Sequence, residues 1–372
     1  MTQEIQHKCK LLPFSRREVL SIQESKQQLG WGITVFDLPE VWKKTQGEGV
    51  VVAVLDSGCD LNHPDLKNNL LSGKNFIDPT KEPIDENGHG THCTGIICAE
   101  NNLIGMVGVA PKTKVIPVKV LDKNGSGNLI DVANGIRWAV DQKVDFISLS
   151  LGSPIPVEQV RTAIQYAESK GVVCFCAAGN AGNTREIFYP ANYPETIGIG
   201  SINKDFDRSN FSCTGTDLDF LAPGNEIFST VPESWYAILS GTSMANPFVV
   251  GIACLLLSYN RETGNKINLM SCQDYRDELK KHCVDVKNKE FANQKFFEGF
   301  GIINPQDLFN WISETPTNTS TPTPSLTGLG LSLGPSLGPS LGLSLGLPTN
   351  TSTPTPSLTD TPSVTPSETA TL

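Results

Sequence analysis

The 372-residue chain is longer than one average domain, 38% apolar, and carries a formal net charge of −10 at pH 7. That acidity excludes nucleic acid and anionic membrane as main partners, because either requires a basic face. The ten cysteines lie mostly within apolar runs, and "MTQEIQHKCKLLPFSRREVL" mixes charge throughout without the apolar core of a secretory signal. Together these predict reduced thiols and a cytoplasmic protein.

In chain order, "VVVAVLDSG" (50–58), "VIPVKVL" (115–121), "VDFISLSLG" (144–152), "GVVCFCAAGN" (171–180) and "TIGIGSI" (196–202) read as strands, apolar on both faces. Between them, 128–142 gathers Leu129, Val132, Ala133 and Ile136 on one helical face, and 156–171 gathers Val160, Ala163, Ile164 and Ala167 before Gly171. Strand and helix in alternation predict an α/β fold, a mainly parallel sheet covered on both sides. Catalytic groups collect at the C-terminal ends of such strands, where Asp56 and Asn180 stand. The run "FVVGIACLLL" reads as a buried helix too short to span a bilayer. From Ser313 onward the chain is almost entirely Thr, Ser, Pro, Leu and Gly, with "PTNTSTPTPSLT" at both 316–327 and 348–359. Such a tract buries too little to offset chain entropy and predicts a disordered C-terminal tail.

The stretch "DENGHGTHCTG" (85–95) has two histidines and a cysteine in five residues. It is open to three readings: a metal clamp, a nucleophile with its base, or one working imidazole among packing neighbours. Ser243, in "SGTSMANPFVVGIACLLLSYN" (240–260), opens a helix and by itself is an ordinary N-cap serine. A serine hydroxyl becomes a nucleophile only when a base takes its proton and a third group orients that base. His89, held between Gly88 and Gly90, and Asp56 at a strand end supply an economical pair. The order Asp…His…Ser is the one known for subtilisin.

"VVAVLDSGCDLNHPDL", "NGHGTHCTG" and "GTSMANP" resemble, in order, the three active-site signatures of subtilisin-like serine proteases, and "LGSP" and "AAGN" resemble the family's substrate-binding and oxyanion segments. The resemblance runs from about Gln27 to Pro305 and is nearest to bacterial intracellular subtilisins. It implies a three-layer subtilisin-like catalytic domain at 27–312, preceded by an extension at 1–26 and followed by the tail at 313–372. The implied activity is that of a serine endopeptidase of broad specificity. Ser243 attacks, His89 serves as base and then acid, Asp56 orients the imidazole, and Asn180 stabilises the oxyanion. Substrate would pair as a strand between Gly125-Ser126-Gly127 and Ser150-Leu151-Gly152, with Ala177, Ala178, Gly179 and the Phe188-Tyr189-Pro190 segment forming the S1 pocket. No acidic residue marks that pocket's floor, which argues against specificity for basic side chains.

The resemblance further implies structural Ca²⁺ held by Gln27, Asp65 and Asn102 with the carbonyls of Glu100, Ile104 and Met106. A weaker cation site is expected at Asp217 and Asp219 with the carbonyls of Ala191, Tyr193 and Thr196. "LLPF" (11–14) matches a motif with which the extension lies across the active site as an inhibitor until it is cut away. A homodimer is permitted. Asn246 and Phe248 depart from the family's alanine and histidine after the nucleophile. Three rivals stand beside this reading: a zinc site using His89, His92, Cys93 and Cys98, an inactive binding protein working through its tail, and a cysteine protease acting through Cys59.

Overall fold

The computed structural model describes residues 8–13, 15–20, 26–182, 186–287 and 294–314. The repetitive tail from residue 315 on, Phe14 of the Leu-Leu-Pro-Phe motif and most of the 181–185 loop lie outside the described residues.

The chain begins with β1 (Lys8–Leu11), β2 (Ser15–Leu20), α1 (Trp31–Val35), α2 (Leu38–Trp42), β3 (Val51–Asp56), β4 (Lys74–Asn75) and α3 (His89–Cys98). It continues through β5 (Lys114–Lys119), β6 (Ser126–Asn128), α4 (Leu129–Asp141), β7 (Phe146–Leu149), β8 (Leu151–Gly152), α5 (Glu158–Ser169), β9 (Val173–Ala177) and β10 (Thr196–Ile202). Then follow β11 (Phe220–Pro223), β12 (Ile227–Val231), β13 (Trp235–Ser240), α6 (Thr242–Glu262), α7 (Cys272–Leu279), β14 (Cys283–Val284), α8 (Lys295–Glu298), β15 (Ile302–Ile303) and α9 (Pro305–Glu314).

Nine strands form one sheet in the order β14-β15-β11-β10-β9-β7-β3-β5-β4. Every pairing in it is parallel except β14 with β15. Alternation of side chains across each strand explains the layering. Val52 and Val54 of β3, with Val173 and Phe175 of β9, pack into the core formed with α3 and α6. Ala53 and Leu55, with Cys174 and Cys176, pack on the opposite face against α4 and α5. Strands buried on both faces read as continuous apolar runs for this reason.

Helix starts and stops follow local chemistry. Asn128 caps α4 by accepting from the Ile130 N–H at 2.9 Å, and Gly171 takes φ +74° just beyond α5. Helix α6 is longer than its apolar run suggests. At 21 residues it is long and apolar enough to cross a membrane, yet it is buried and runs through the centre of the core.

Two features position the site. Strand β3 lies between β5 and β7, so the strands entered after it depart to opposite sides and leave a crevice at its C-terminal end, where Asp56 sits. Smaller sheets flank that crevice: β6-β1-β8, and β12-β13-β2.

Candidate active site

Asp56 and His89 meet in that crevice. Nδ1 of His89 lies 2.9 and 3.0 Å from the two Asp56 carboxylate oxygens, and Asp56 also accepts from the Ser57 N–H at 2.7 Å. Approach this close requires a bare backbone. A Cβ on Gly90 would fall 2.2 Å from the Gly58 carbonyl oxygen and 3.1 Å from Asp56 Cβ. Gly88 meets the other demand, adopting φ +101° at the entry to α3.

Asp85, to which the sequence reading gave no role, organises this helix start. Its buried carboxylate accepts from the N–H groups of Asn87, Gly88 and Thr91, each at 2.9 Å, and from the hydroxyls of Ser57 and Thr91. A carboxylate favours the positive end of α3 and satisfies its unpaired donors. The sequence signal was an acidic residue four positions before the helix.

Burial alone would push the His89 imidazole down, but the Asp56 carboxylate outweighs it and holds its pKa well above the ordinary value. Burial raises the neighbouring Cys93 thiol, which therefore stays protonated. Its Sγ lies 3.8 Å from His89 Nδ1 and donates to the Ser243 carbonyl at 3.3 Å, so the imidazole and the serine flank one side chain. The Ser243 hydroxyl donates to the Ser150 carbonyl at 3.2 Å.

Asn180 follows β9 and faces the same point. Its Oδ1 accepts from the Thr242 N–H at 2.8 Å and the Thr242 hydroxyl at 2.9 Å. Those bonds fix the amide's direction and aim Nδ2 into the cleft. There Nδ2 donates to the Pro13 carbonyl at 2.8 Å. Thr242 is thus a second supporting residue that sequence reasoning missed.

The chain's own N-terminal segment occupies the two edges expected to receive substrate. Strand β1 pairs antiparallel with β6, Cys9 opposite Gly127 and Lys10 opposite Ser126, and with β8, Lys10 opposite Gly152 and Leu11 opposite Leu151. The Leu11 N–H donates to the Gly125 carbonyl at 2.8 Å. Leu12 is buried; a Cβ on Gly152 would come within 3.3 Å of its Cδ2 and one on Gly125 within 2.6 Å of Leu11 Cδ1, so both glycines leave room for this strand. Ala177, Ala178 and Gly179 lie alongside, with the Phe188 N–H donating to the Ala178 carbonyl at 2.8 Å and its ring against Gly179. Beyond Phe14 the segment continues as β2, which adds to the edge of β13 with Ser15 opposite Ser240.

The residues expected to bind calcium come together. Nε2 of Gln27 donates to the carbonyls of Glu100 at 2.6 Å and Met106 at 2.9 Å. The buried Asp65 carboxylate accepts from Asn102 Nδ2, the Met106 N–H and the Tyr236 hydroxyl, and has no cationic partner among the described residues. The Ile104 N–H donates to Asn102 Oδ1 at 3.1 Å, and Leu103 and Gly105 take positive φ, their carbonyls accepting from the N–H groups of Gln27 and Gln28. Two convergent carbonyls, two amides and a buried carboxylate without counter-charge form a hard-oxygen donor set of the kind calcium takes.

At the second expected cation site the Arg276 guanidinium takes two of the five expected groups, donating to Asp219 Oδ1 at 2.8 Å and to the Thr196 carbonyl at 2.6 Å. The Thr196 N–H and hydroxyl bond the Tyr193 carbonyl. A protein cation already balances Asp219, and nothing in the 217–219 stretch announces a partner 57 residues away.

The zinc reading also fails on geometry. His92 points away from His89, its Nε2 3.1 Å from the carbonyls of Ile227 and Ala237. Asp56, His89 and Cys93 do cluster, but Nδ1 of His89 is engaged by Asp56, and a thiol that stays protonated is a poor ligand. Cys59 is buried and its thiol is pushed far up, first by burial and then by Asp85, which leaves it an inert apolar group.

The subtilase family profile matches residues 47–301. The intracellular serine protease of Paenibacillus polymyxa is 42% identical over 260 residues, covering 68% of this chain and 79% of that protein. The major intracellular serine protease of Bacillus subtilis is 44% identical over 265 residues, covering 68% of this chain and 82% of its own. Thermitase of Thermoactinomyces vulgaris is 45% identical over 236 residues, covering 63% and 84%. With the profile spanning well over half of the chain, this protein belongs to the subtilase family and is a subtilisin-like serine protease.

Proposed function

We propose that the protein is an intracellular endopeptidase of broad specificity whose cleft is filled by its own N-terminal segment until that segment is cut away. One observation carries this reading: the Pro13 carbonyl on Asn180 Nδ2, at the end of a strand clasped between 126–128 and 151–152. Asn180 would give a substrate's developing oxyanion the same donor, joined by the backbone N–H of Ser243. Ser243 attacks the peptide carbonyl. His89 takes its proton and returns it to the leaving amine, while Asp56 keeps Nε2 of the imidazole as the acceptor and balances the cation that forms. Backbone pairing with both cleft edges reads extension more than side-chain identity, hence the breadth.

The inhibitory segment imitates substrate but presents proline, and Leu12, not Pro13, is the buried side chain. The domain division follows: residues 1–26 as inhibitory extension, 27–312 as catalytic domain and 313–372 as tail. Calcium, held by Gln27, Asp65, Asn102 and the carbonyls of Glu100, Ile104 and Met106, would tie the residues just after the extension to the core. Its chemistry there is structural, neutralising Asp65 and rigidifying the loop.

Wild type and Ser243→Ala incubated with casein, with and without Ca²⁺, while mass spectrometry follows each N-terminus, test the reading. Casein cleavage and loss of the extension are expected only in wild type. Wild type that turns over repeatedly while keeping Met1 would overturn the self-inhibition, and an active Ser243→Ala would overturn the nucleophile.

A further inference from the structure

In an α-helix each carbonyl accepts from the N–H four residues on. For Ser243 that residue is Pro247, which has no N–H and lies inside α6. The carbonyl of this buried residue therefore lacks its helical donor and must be satisfied by side chains. Two supply it: the Ser150 hydroxyl at 3.0 Å and the Cys93 thiol at 3.3 Å. Ser150 thereby holds Ser243 at both ends, since its own carbonyl accepts from the Ser243 hydroxyl at 3.2 Å.

A hydroxyl rotates freely unless something occupies its lone pairs. Asn246, fully buried one turn along the same helix, does so: its Nδ2 donates to the Ser150 hydroxyl oxygen at 3.3 Å and to the Ser148 hydroxyl oxygen at 3.0 Å. With that oxygen accepting from Asn246, the Ser150 proton is directed at the Ser243 carbonyl.

We infer that Asn246 is a positioning residue for catalysis, acting through Ser150 to fix the backbone of Ser243 where Pro247 has removed the helical hydrogen bond. The inference rests on Ser243 being the nucleophile. The unit it fixes carries both the reacting hydroxyl and the N–H offered to the oxyanion, so small tilts misplace both at once. Misplacement of that kind lowers turnover with little effect on substrate binding, by up to about 10²-fold for a displacement near one ångström.

The test is a double-mutant cycle on the full-length chain, with peptide turnover normalised to the processed fraction seen by mass spectrometry. Asn246→Ala and Ser150→Ala should each lower kcat about 5- to 50-fold with KM within about 2-fold, and slow acylation of Ser243 by a fluorophosphonate in parallel. If Asn246 acts through Ser150, its loss in the Ser150→Ala background should cost no further kcat. Ser150→Thr, which keeps the hydroxyl, should recover most of the rate. Fully additive losses, or an Asn246→Ala protein with normal kcat and only a lowered melting temperature, would overturn the inference. Ser243→Ala in the same assay separates the two claims. An active Ser243→Ala sinks the nucleophile itself, whereas an inactive one beside a fully active Asn246→Ala sinks only the positioning role.

Discussion

Two buried histidines in this molecule have nearly the same immediate chemistry. His89 Nδ1 lies 2.9 Å from Asp56, and His282 Nδ1 lies 2.7 Å from Asp307, with Glu278 3.5 Å from its other nitrogen. Burial opposes the charged form of both rings, carboxylates outweigh it, and both pKa values are raised. A carboxylate partner and a raised pKa therefore do not distinguish a catalytic imidazole from a structural one. The surroundings do. Beside His89 stands Cys93, whose thiol reaches the Ser243 carbonyl, while Asn180 bonds Thr242 next to that serine and the Pro13 carbonyl of a strand seated between two sheet edges. Around His282, among the described residues, lies the junction of α7 with α9, where Lys281 pairs with Glu278 and stands over the Trp311 ring.

Exchanging each histidine for glutamine breaks the comparison most sharply. His89→Gln should lower kcat on a peptide substrate by on the order of 10⁶, the figure belonging to subtilisin itself, and kcat/KM with it. His282→Gln should leave kcat/KM within about 3-fold, because no reacting group is near it. Equal losses would mean that the crevice at the end of β3 is not the catalytic centre. Next in size, Asn180→Ala should cost about 10²–10³ in kcat with KM nearly unchanged, again a magnitude measured in subtilisin. A raised KM with intact kcat would instead make Asn180 a substrate clamp.

The pH dependence sharpens the same contrast. An imidazole can act as a base only when neutral, and the pKa of His89 is raised. The ascending limb of kcat/KM against pH should therefore lie above about 6.5, the ordinary value for imidazole. Asp56→Asn removes the charge that holds the proton, so the residual activity should rise at lower pH than in wild type. A smaller effect concerns calcium. Chelation should lower the melting temperature and free calcium restore it, by about 2.7 kcal/mol at a hundredfold excess over Kd. Asp65→Asn should abolish that response, and an unchanged response would place the ion elsewhere.

What was legible in the sequence was whatever depends on local pattern. Val52, Val54, Ala53 and Leu55 alternate between two cores, and that makes β3 readable as a doubly buried strand. Three motifs far apart in the chain single out Asp56, His89 and Ser243, because glycines stand near each and helix starts lie at the last two. The relations that depend on chain return were not legible. Thr242 orienting Asn180 across 62 positions, Arg276 pairing with Asp219 across 57, and β2 lying along β13 have no local signature. Pro247 is intermediate. Its missing N–H is written in the sequence, but the side chains that replace it come from α3 and from Ser150 beside β8, and only Asn246, which bonds Ser150, is its own neighbour in α6.

The smallest expected effect is the stability carried by His282, and its sign follows from linkage. Its folded pKa is raised, so the contribution is fully present below the unfolded value of about 6.5 and is lost as pH rises through the folded one. Glu278 works in the opposite sense. Burial pushes it up, but His282 and Lys281 outweigh this and lower its pKa, so its contribution is present above about 4.5 and fades as pH falls. The cluster should therefore be most stabilising between those limits. Asp307 is 61% exposed and screened by solvent, which leaves the buried Glu278 as the main partner and keeps the total near 1–2 kcal/mol. His282→Gln should accordingly lower the melting temperature by a few degrees at pH 6 and by much less at pH 9. A deficit that grows with pH would show that His282 is held neutral in the folded protein, and the resemblance between the two histidines would end at geometry.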